Sequence, residues 1–512
     1  MGEKMQNERL LRVETAEGAL EGDYEEGVFV FRGIPYAAPP VGPLRWQPPK
    51  PTEPWHSARA ATRWGCASWQ NREFCEEAGG GDPGTFSEDC LYLNVWTPDP
   101  ETSRPLPVMV WLHGGGFTLG SGGLPLYSGH ALAARGAVVV TINYRLGHLG
   151  FFAHPALDEE YTEGGVVNNF ALLDQIAALQ WVQRNIAAFG GNRSNVTLFG
   201  ESAGARSVLS LFCSPLASGL FHKGIAQSAY ALPDVTREDA LKKGVAVARR
   251  LGLENASAAQ LRALPADAFW PLEPALSVGP AAIAGDSVLP EPILSVLRGG
   301  RQQPLPLMIG SNSDEASVLT YFGGDPARVI TQVRKTQRFG LRLKLIRLLY
   351  DGIYDDSELG RQVARDMTFT TMGYVAARAQ HRCGMPVWRY WFDYVAENAR
   401  DLQPDGAWHG SEIAYVFNTL DKLPAPMAGG PVTESDRDFA RQMSEYWLNF
   451  ARDVSPFSHQ LNGEIVWPAW RPYEDRVMRF GEGSQPVLKL EDRFMRRRTQ
   501  LFRLLMGRMV RL

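Results

Sequence analysis

Gly200-Glu201-Ser202-Ala203-Gly204 follows the apolar run Asn195-Val196-Thr197-Leu198-Phe199 and precedes the helix-like stretch Ala205 to Phe212. The run reads as a buried strand and the stretch as a helix start. A serine between glycines at a strand-to-helix turn is a nucleophile elbow. The chain reverses within a few residues there, so the serine is expected in a strained backbone conformation, flanked by positions with almost no room for side chains. Such a turn exposes the hydroxyl above a sheet edge and aims the first N–H groups of the helix at whatever the serine attacks.

A serine hydroxyl is a weak nucleophile, and needs a base for its proton and donors for the developing oxyanion. His113-Gly114-Gly115-Gly116-Phe117, directly after the strand-like Val108–Leu112, is a donor loop of the type found in lipases and esterases. The candidate donors are the N–H groups of Gly115, Gly116 and Ala203. His113 itself is expected to hydrogen-bond within the loop rather than carry protons. Of nine histidines, only His222, His381, His409 and His459 follow Ser202. His409 sits in a loop between the strand-like Val387–Tyr394 and an apolar helix, as a base should when the order is serine, carboxylate, histidine. The strand-like Leu305–Ile309 runs on to Asp314 and Glu315, and spacing alone does not separate these two carboxylates.

Outward from these motifs, near-continuous apolar strands (Val108–Leu112, Val138–Tyr144, Val196–Phe199) predict a sheet covered on both faces. Leu172, Ile176, Leu179, Val182 and Ile186 recur every three or four residues, which predicts one buried helix stripe. Strands alternating with helices imply an α/β layered fold with right-handed crossovers. Leu10–Thr15, Ala19–Gly22 and Val28–Arg32 predict a small N-terminal antiparallel sheet. No repeat or linker divides the 512 residues, so one domain spanning 1–512 is expected, with residues 231–276 and 318–356 as candidate helical caps. A net charge of −4 gives no field for nucleic acid, and no stretch reaches the length of a membrane span. The polar N-terminus lacks a secretory apolar core, so a cytoplasmic location is expected. Five cysteines do not form a disulfide framework, although pairing of Cys66 with Cys90 stays open. The basic C-terminal stretch from 492 reads as a closing helix packed by Phe494, Leu501 and Leu505.

These motifs occur in order with Phe31-Arg32-Gly33-Ile34-Pro35-Tyr36-Ala37, Ser87 to Asn94, Asn143-Tyr144-Arg145, Leu173-Asp174-Gln175, Asp314-Glu315, His409-Gly410 and Asn449-Phe450-Ala451. Together they span about residues 10 to 475, and the chain resembles the carboxylesterase type B family, which includes cholinesterases and bacterial para-nitrobenzyl esterases. The resemblance implies an α/β-hydrolase fold with a mostly parallel central sheet. It implies Glu315 as the triad acid beside Ser202 and His409, and Glu201, Ser228 and Glu412 as supporting residues around them. It implies ion pairs of Arg32 with Glu88 and of Arg145 with Asp174, and no cofactor or metal. The Cys66–Cys90 pair resembles a disulfide of secreted relatives that bacterial-type members lack. Arg206 departs from the small residue usual in relatives and is expected to form an ion pair behind the site. Val318 and Leu319 replace aromatic residues of cholinesterases, so a cage for quaternary ammonium is poorly supported.

The expected activity is hydrolysis of neutral, small-molecule carboxylic esters through an acyl-enzyme, falling as pH drops through about 6 to 7 because only neutral imidazole is a base. An amidase or carbamate hydrolase with the same triad, or a non-catalytic binding protein, are the other readings. Tyr321, Phe322, Trp270 and Trp408 are candidate pocket walls. The natural ester and the oligomeric state, monomer or homodimer, are not encoded in any motif.

Overall fold

The strand that ends on the serine turn lies in the middle of an eleven-stranded sheet. The computed structural model describes residues 12–509, apart from 79, 162–164, 271, 280, 322, 327, 329 and 332–339. The main sheet is built from β1 (Asp23–Glu25), β2 (Val28–Pro35), β3 (Tyr92–Thr97), β4 (Leu106–Leu112), β5 (Val138–Ile142) and β6 (Gly191–Glu201). It continues with β7 (Lys223–Gln227), β8 (Leu307–Asn312), β9 (Val387–Tyr394), β10 (Val477–Gly483) and β11 (Gln485–Glu491). Their spatial order is β11-β10-β9-β8-β7-β6-β4-β5-β3-β2-β1. Strands from β5 to β10 pair in parallel, and both ends of the sheet are antiparallel.

Because the parallel strands are buried on both faces, their side chains feed two cores. Val108, Val110, Leu112, Val196 and Leu198 point into one. That side carries α1 (Phe170–Asn185), α2 (Ala203–Cys213) and the later Thr371–Arg382 helix. Met109, Trp111, Phe199 and Trp388 point into the other, against a long helix, Glu434–Asp453. Leu172, Ile176, Leu179 and Val182 along α1, and Ile186 just past its end, are all buried, as their spacing predicts. Lys223 Nζ, on β7, fastens the long helix by donating to the carbonyls of Phe450, Ala451 and Val454 at its C-terminal end.

Two expectations change. Val28–Arg32 does not complete a separate N-terminal sheet. As β2 it joins the main sheet beside β3, because Val28, Phe29, Val30 and Phe31 are all buried and need cover on both faces. The small sheet keeps the antiparallel pair Arg12–Glu14 and Ala19–Glu21, with Arg59–Ala60 added in parallel. Arg32 does not pair with Glu88. The β1–β2 hairpin sets Asp23 opposite Val30, so Arg32 meets Asp23 and Glu25, and Glu88 is held bidentately by Arg45 at 2.6 Å. The other expected pair forms: buried Arg145 grips Asp174 through two bonds of 2.8 and 2.7 Å. All five cysteines are free thiols, Cys66 and Cys90 included. Phe494 is buried against Trp391, and the C-terminal helix closes on the fold through buried Phe502 and partly buried Leu505. Among the described residues no helix is long and apolar enough to cross a membrane.

Candidate active site

Ser202 holds φ +55° and ψ −118°, a region that non-glycine residues rarely occupy. Its neighbours explain why glycine flanks it. A Cβ on Gly204 would lie 2.0 Å from the Leu112 carbonyl oxygen, and one on Gly200 2.7 Å from the same atom. β4, β6 and α2 meet at this point, and only bare backbone fits between them. The Ser202 N–H is anchored to the Gln227 carbonyl on β7 at 2.9 Å. Ala203 opens α2, so its N–H has no acceptor within the helix.

The glycine loop lies against this turn. A Cβ on Gly114 would come within 2.6 Å of Glu201 Oε2 and 3.2 Å of Ser202 Cβ. Gly115 and Gly116 hold φ +100° and +59°, and among the described residues their N–H groups donate to no acceptor. His113 braces the loop from behind. Its ring stacks on Tyr144 at 4.3 Å, its Nδ1 bonds the Gly114 carbonyl at 2.9 Å, and burial pulls its imidazole down to about 4.

On the other side, β8 delivers Glu315 and the loop after β9 delivers His409. Glu315 Oε2 lies 2.5 Å from His409 Nδ1. Its Oε1 accepts from Ser228 Oγ and from the Asn312 N–H, both at 2.6 Å. The His409 N–H is tied to Ser317 Oγ at 3.0 Å. Asp314, the alternative acid, makes no bond to His409; its carboxyl borders the cavity and burial pushes it up to about 7. Glu412 accepts from Gln227 at 3.0 Å and from Asn312 Nδ2 at 2.6 Å, and burial raises its carboxyl. Gln227 and Asn312 carry this network and were not singled out from sequence. Their signal was a polar residue closing an apolar strand.

Glu201 Oε1 stands 3.1 Å from His409 Nε2. Burial raises Glu201 to about 8. For His409 burial acts downward, but the carboxylates of Glu201 and Glu315 outweigh it and carry the imidazole up to about 9. Arg206, fully buried one turn along α2, pairs with Asp234 at 2.6 Å, as an ion pair behind the site requires.

Ser202, Glu201, His409 and Gly114 to Gly116 line one cavity of about 440 Å³. Leu119, Leu126, Val318, Ile413 and Met427 give it an apolar wall, and Trp408 and Tyr321 border it as well. Trp270 instead packs on Gly147, and Phe322 lies outside the described residues. Residues 318–326 contribute lining, whereas 231–276 supply none among the described residues.

Known proteins match this chain along nearly its whole length. A family model described as "Carboxylesterase family" matches residues 9–501. The fumonisin B1 esterase of Sphingopyxis macrogoltabida is 37% identical over 91% of this chain and 86% of its own. The para-nitrobenzyl esterase of Bacillus subtilis (strain 168) is 35% identical over 90% and 92%. A solved PNB esterase structure superposes with a TM-score of 0.80 at 33% identity, covering 96% of this chain and 99% of that one. The carboxylesterase EST55 of Geobacillus stearothermophilus gives 0.79 at 32% identity, covering 96% and 100%. An elbow serine on a mostly parallel sheet, matched along nearly the whole chain, leads to one assignment: the chain belongs to the carboxylesterase family, has the α/β-hydrolase fold and is a carboxylic-ester hydrolase.

Proposed function

We propose that this protein cleaves neutral carboxylic esters through an acyl-enzyme on Ser202. His409 Nε2 takes the serine proton as the hydroxyl attacks the carbonyl, then returns it to the leaving alcohol. Glu315 holds the Nδ1–H tautomer and stabilises the imidazolium. The N–H groups of Gly115, Gly116 and Ala203 bind the oxyanion, and water repeats the cycle on the acyl group. Ser228 fixes the Glu315 carboxylate, while Glu412 and Glu201 complete the buried charge set around the imidazole. Of the candidate cap 318–356, the described residues Val318, Thr320, Tyr321 and Pro326 would cover the cavity.

The observation that carries this reading is the 2.5 Å contact of Glu315 with His409 on the wall that also bears the strained Ser202. The apolar wall supports neutral esters, and a cavity of about 440 Å³ suits an ester with modest acyl and alcohol parts. Treatment with an organophosphate should label Ser202 and stop hydrolysis of an aryl ester. Turnover surviving in Ser202→Ala would overturn the proposal, and a panel of acyl and alcohol sizes then defines the substrate.

A further inference from the structure

We propose that Phe369 is a positioning residue for His409, delivered by a single π turn and linked through Tyr230 and Arg206 to the helix behind Ser202. This rests on His409 being the base named above. The helices α3 (Asp356–Arg365) and α4 (Thr371–Arg382) are joined by Asp366–Thr370, which form that turn. The Thr371 N–H donates to the Asp366 carbonyl, five residues back, and the Thr371 hydroxyl reaches the same oxygen at 2.5 Å. One extra residue in a turn rotates the rest of the helix out of phase, and such turns concentrate at functional sites.

The turn is held from two sides. The buried Asp366 carboxylate accepts from Arg365 Nε at 2.8 Å, the Tyr350 hydroxyl at 2.7 Å and Thr370 Oγ1 at 3.2 Å. On the opposite side the Thr368 carbonyl accepts the Ala231 N–H at 2.7 Å. Phe369, itself buried, is thereby set with its ring centroid 5.2 Å from that of His409 at an interplanar angle of 55°. It meets Tyr230 edge-on at 6.0 Å. Arg206 lies 5.8 Å over the Tyr230 ring and donates to the Tyr230 carbonyl at 2.8 Å, while its N–H closes the first turn of α2 on the Ser202 carbonyl at 2.8 Å.

The imidazole needs this support. Its attachment to the backbone and its bond from Nδ1 to Glu315 define an axis, about which the ring can still rock. Nε2 makes no hydrogen bond among the described residues, and the Glu201 Oε1 that faces it at 3.1 Å attracts the ring without fixing its direction. Packing against Phe369 limits the rocking and so sets where Nε2 aims.

The test compares Phe369→Leu and Phe369→Ala with deletion of Met367, which returns the turn to α-helical phase and swings the phenyl group away. Phe221→Leu, a buried aromatic substitution in the core, is the stability control. Kinetics on an aryl ester are read beside the His409 ring proton signal in histidine-labelled protein, where loss of the neighbouring ring current is visible without turnover. We expect kcat to fall about tenfold for Leu and about a hundredfold for Ala and the deletion, with KM within about threefold. The His409 signal should move in all three and stay put in Phe221→Leu. A kcat within twofold of the parent in Phe369→Ala would overturn the proposal even where the His409 signal moves, because loss of the ring current alone shifts that signal. Activity persisting in Ser202→Ala would instead sink the serine mechanism, and the His409 signal would still report on the ring contact.

Discussion

His409 Nε2 and Glu201 Oε1 face each other at 3.1 Å, and among the described residues neither atom has a hydrogen-bond partner. The imidazole is therefore under the field of a carboxylate but not locked to it, and its outer nitrogen stays available to a hydroxyl or a leaving group. Glu315 occupies the inner nitrogen, which leaves the outer one for the proton transfer proposed above.

That field moves the pH dependence. Sequence alone places the loss of activity near about 6 to 7. With Glu201 and Glu315 outweighing burial and lifting His409 to about 9, the acid limb of kcat/KM should lie above the usual histidine range. Glu201→Gln removes one of these upward influences, and should bring that limb down. A pH–rate profile of the two proteins checks this, and superimposable acid limbs would show that Glu201 does not govern the base.

The glycines around the turn should differ sharply in tolerance. Gly204→Ala forces a methyl group to within 2.0 Å of the Leu112 carbonyl, between elements that cannot separate. We expect a loss of about 3 kcal/mol or more, seen as low soluble yield and early denaturant unfolding. Gly410→Ala meets only ordinary contacts, the nearest with Glu201 Oε1 at 3.5 Å, and suffers mainly from φ +79°. It should fold with a loss of about 1–2 kcal/mol. Equal stability of the two variants would contradict the packing described for the elbow.

The elbow, the glycine loop and the apolar strands were legible because each imposes a local constraint. Gly200 and Gly204 must be bare, Gly115 and Gly116 must take positive φ, and β4 and β5 must be apolar on both faces. The choice of Glu315 over Asp314 came from resemblance, since adjacent carboxylates at a strand end are equivalent until the loop is placed. The Arg32 partner, taken from resemblance, was misread: the hairpin register brings Asp23 and Glu25 to Arg32 instead of Glu88. The π turn that carries Phe369 had no signal at all, since one inserted residue leaves helical composition unchanged.

Arg206 and Asp234 are a fully buried pair joined at 2.6 Å. Arg206→Met strands the carboxylate and should cost about 3–5 kcal/mol in denaturant unfolding. Adding Asp234→Asn should recover part of that loss, because it removes the charge left without its partner. Strictly additive losses would mean that the two side chains stabilise the fold independently, against the geometry.

Glu315→Gln separates charge from shape at the triad. Oε1 of Glu315 receives two donors, Ser228 Oγ and the Asn312 N–H, each at 2.6 Å. A glutamine must therefore put its carbonyl oxygen there and turn its NH₂ toward His409 Nδ1. An Nδ1 that has to accept cannot carry the proton, so the proton moves to Nε2 and the nitrogen facing the cavity can no longer deprotonate Ser202. We expect kcat to fall about ten-thousandfold with KM little changed. The rate of organophosphate labelling of Ser202 should fall in parallel, because that attack draws on the same base. A loss smaller than about tenfold in both measurements would show that the carboxylate is not what sets the tautomer.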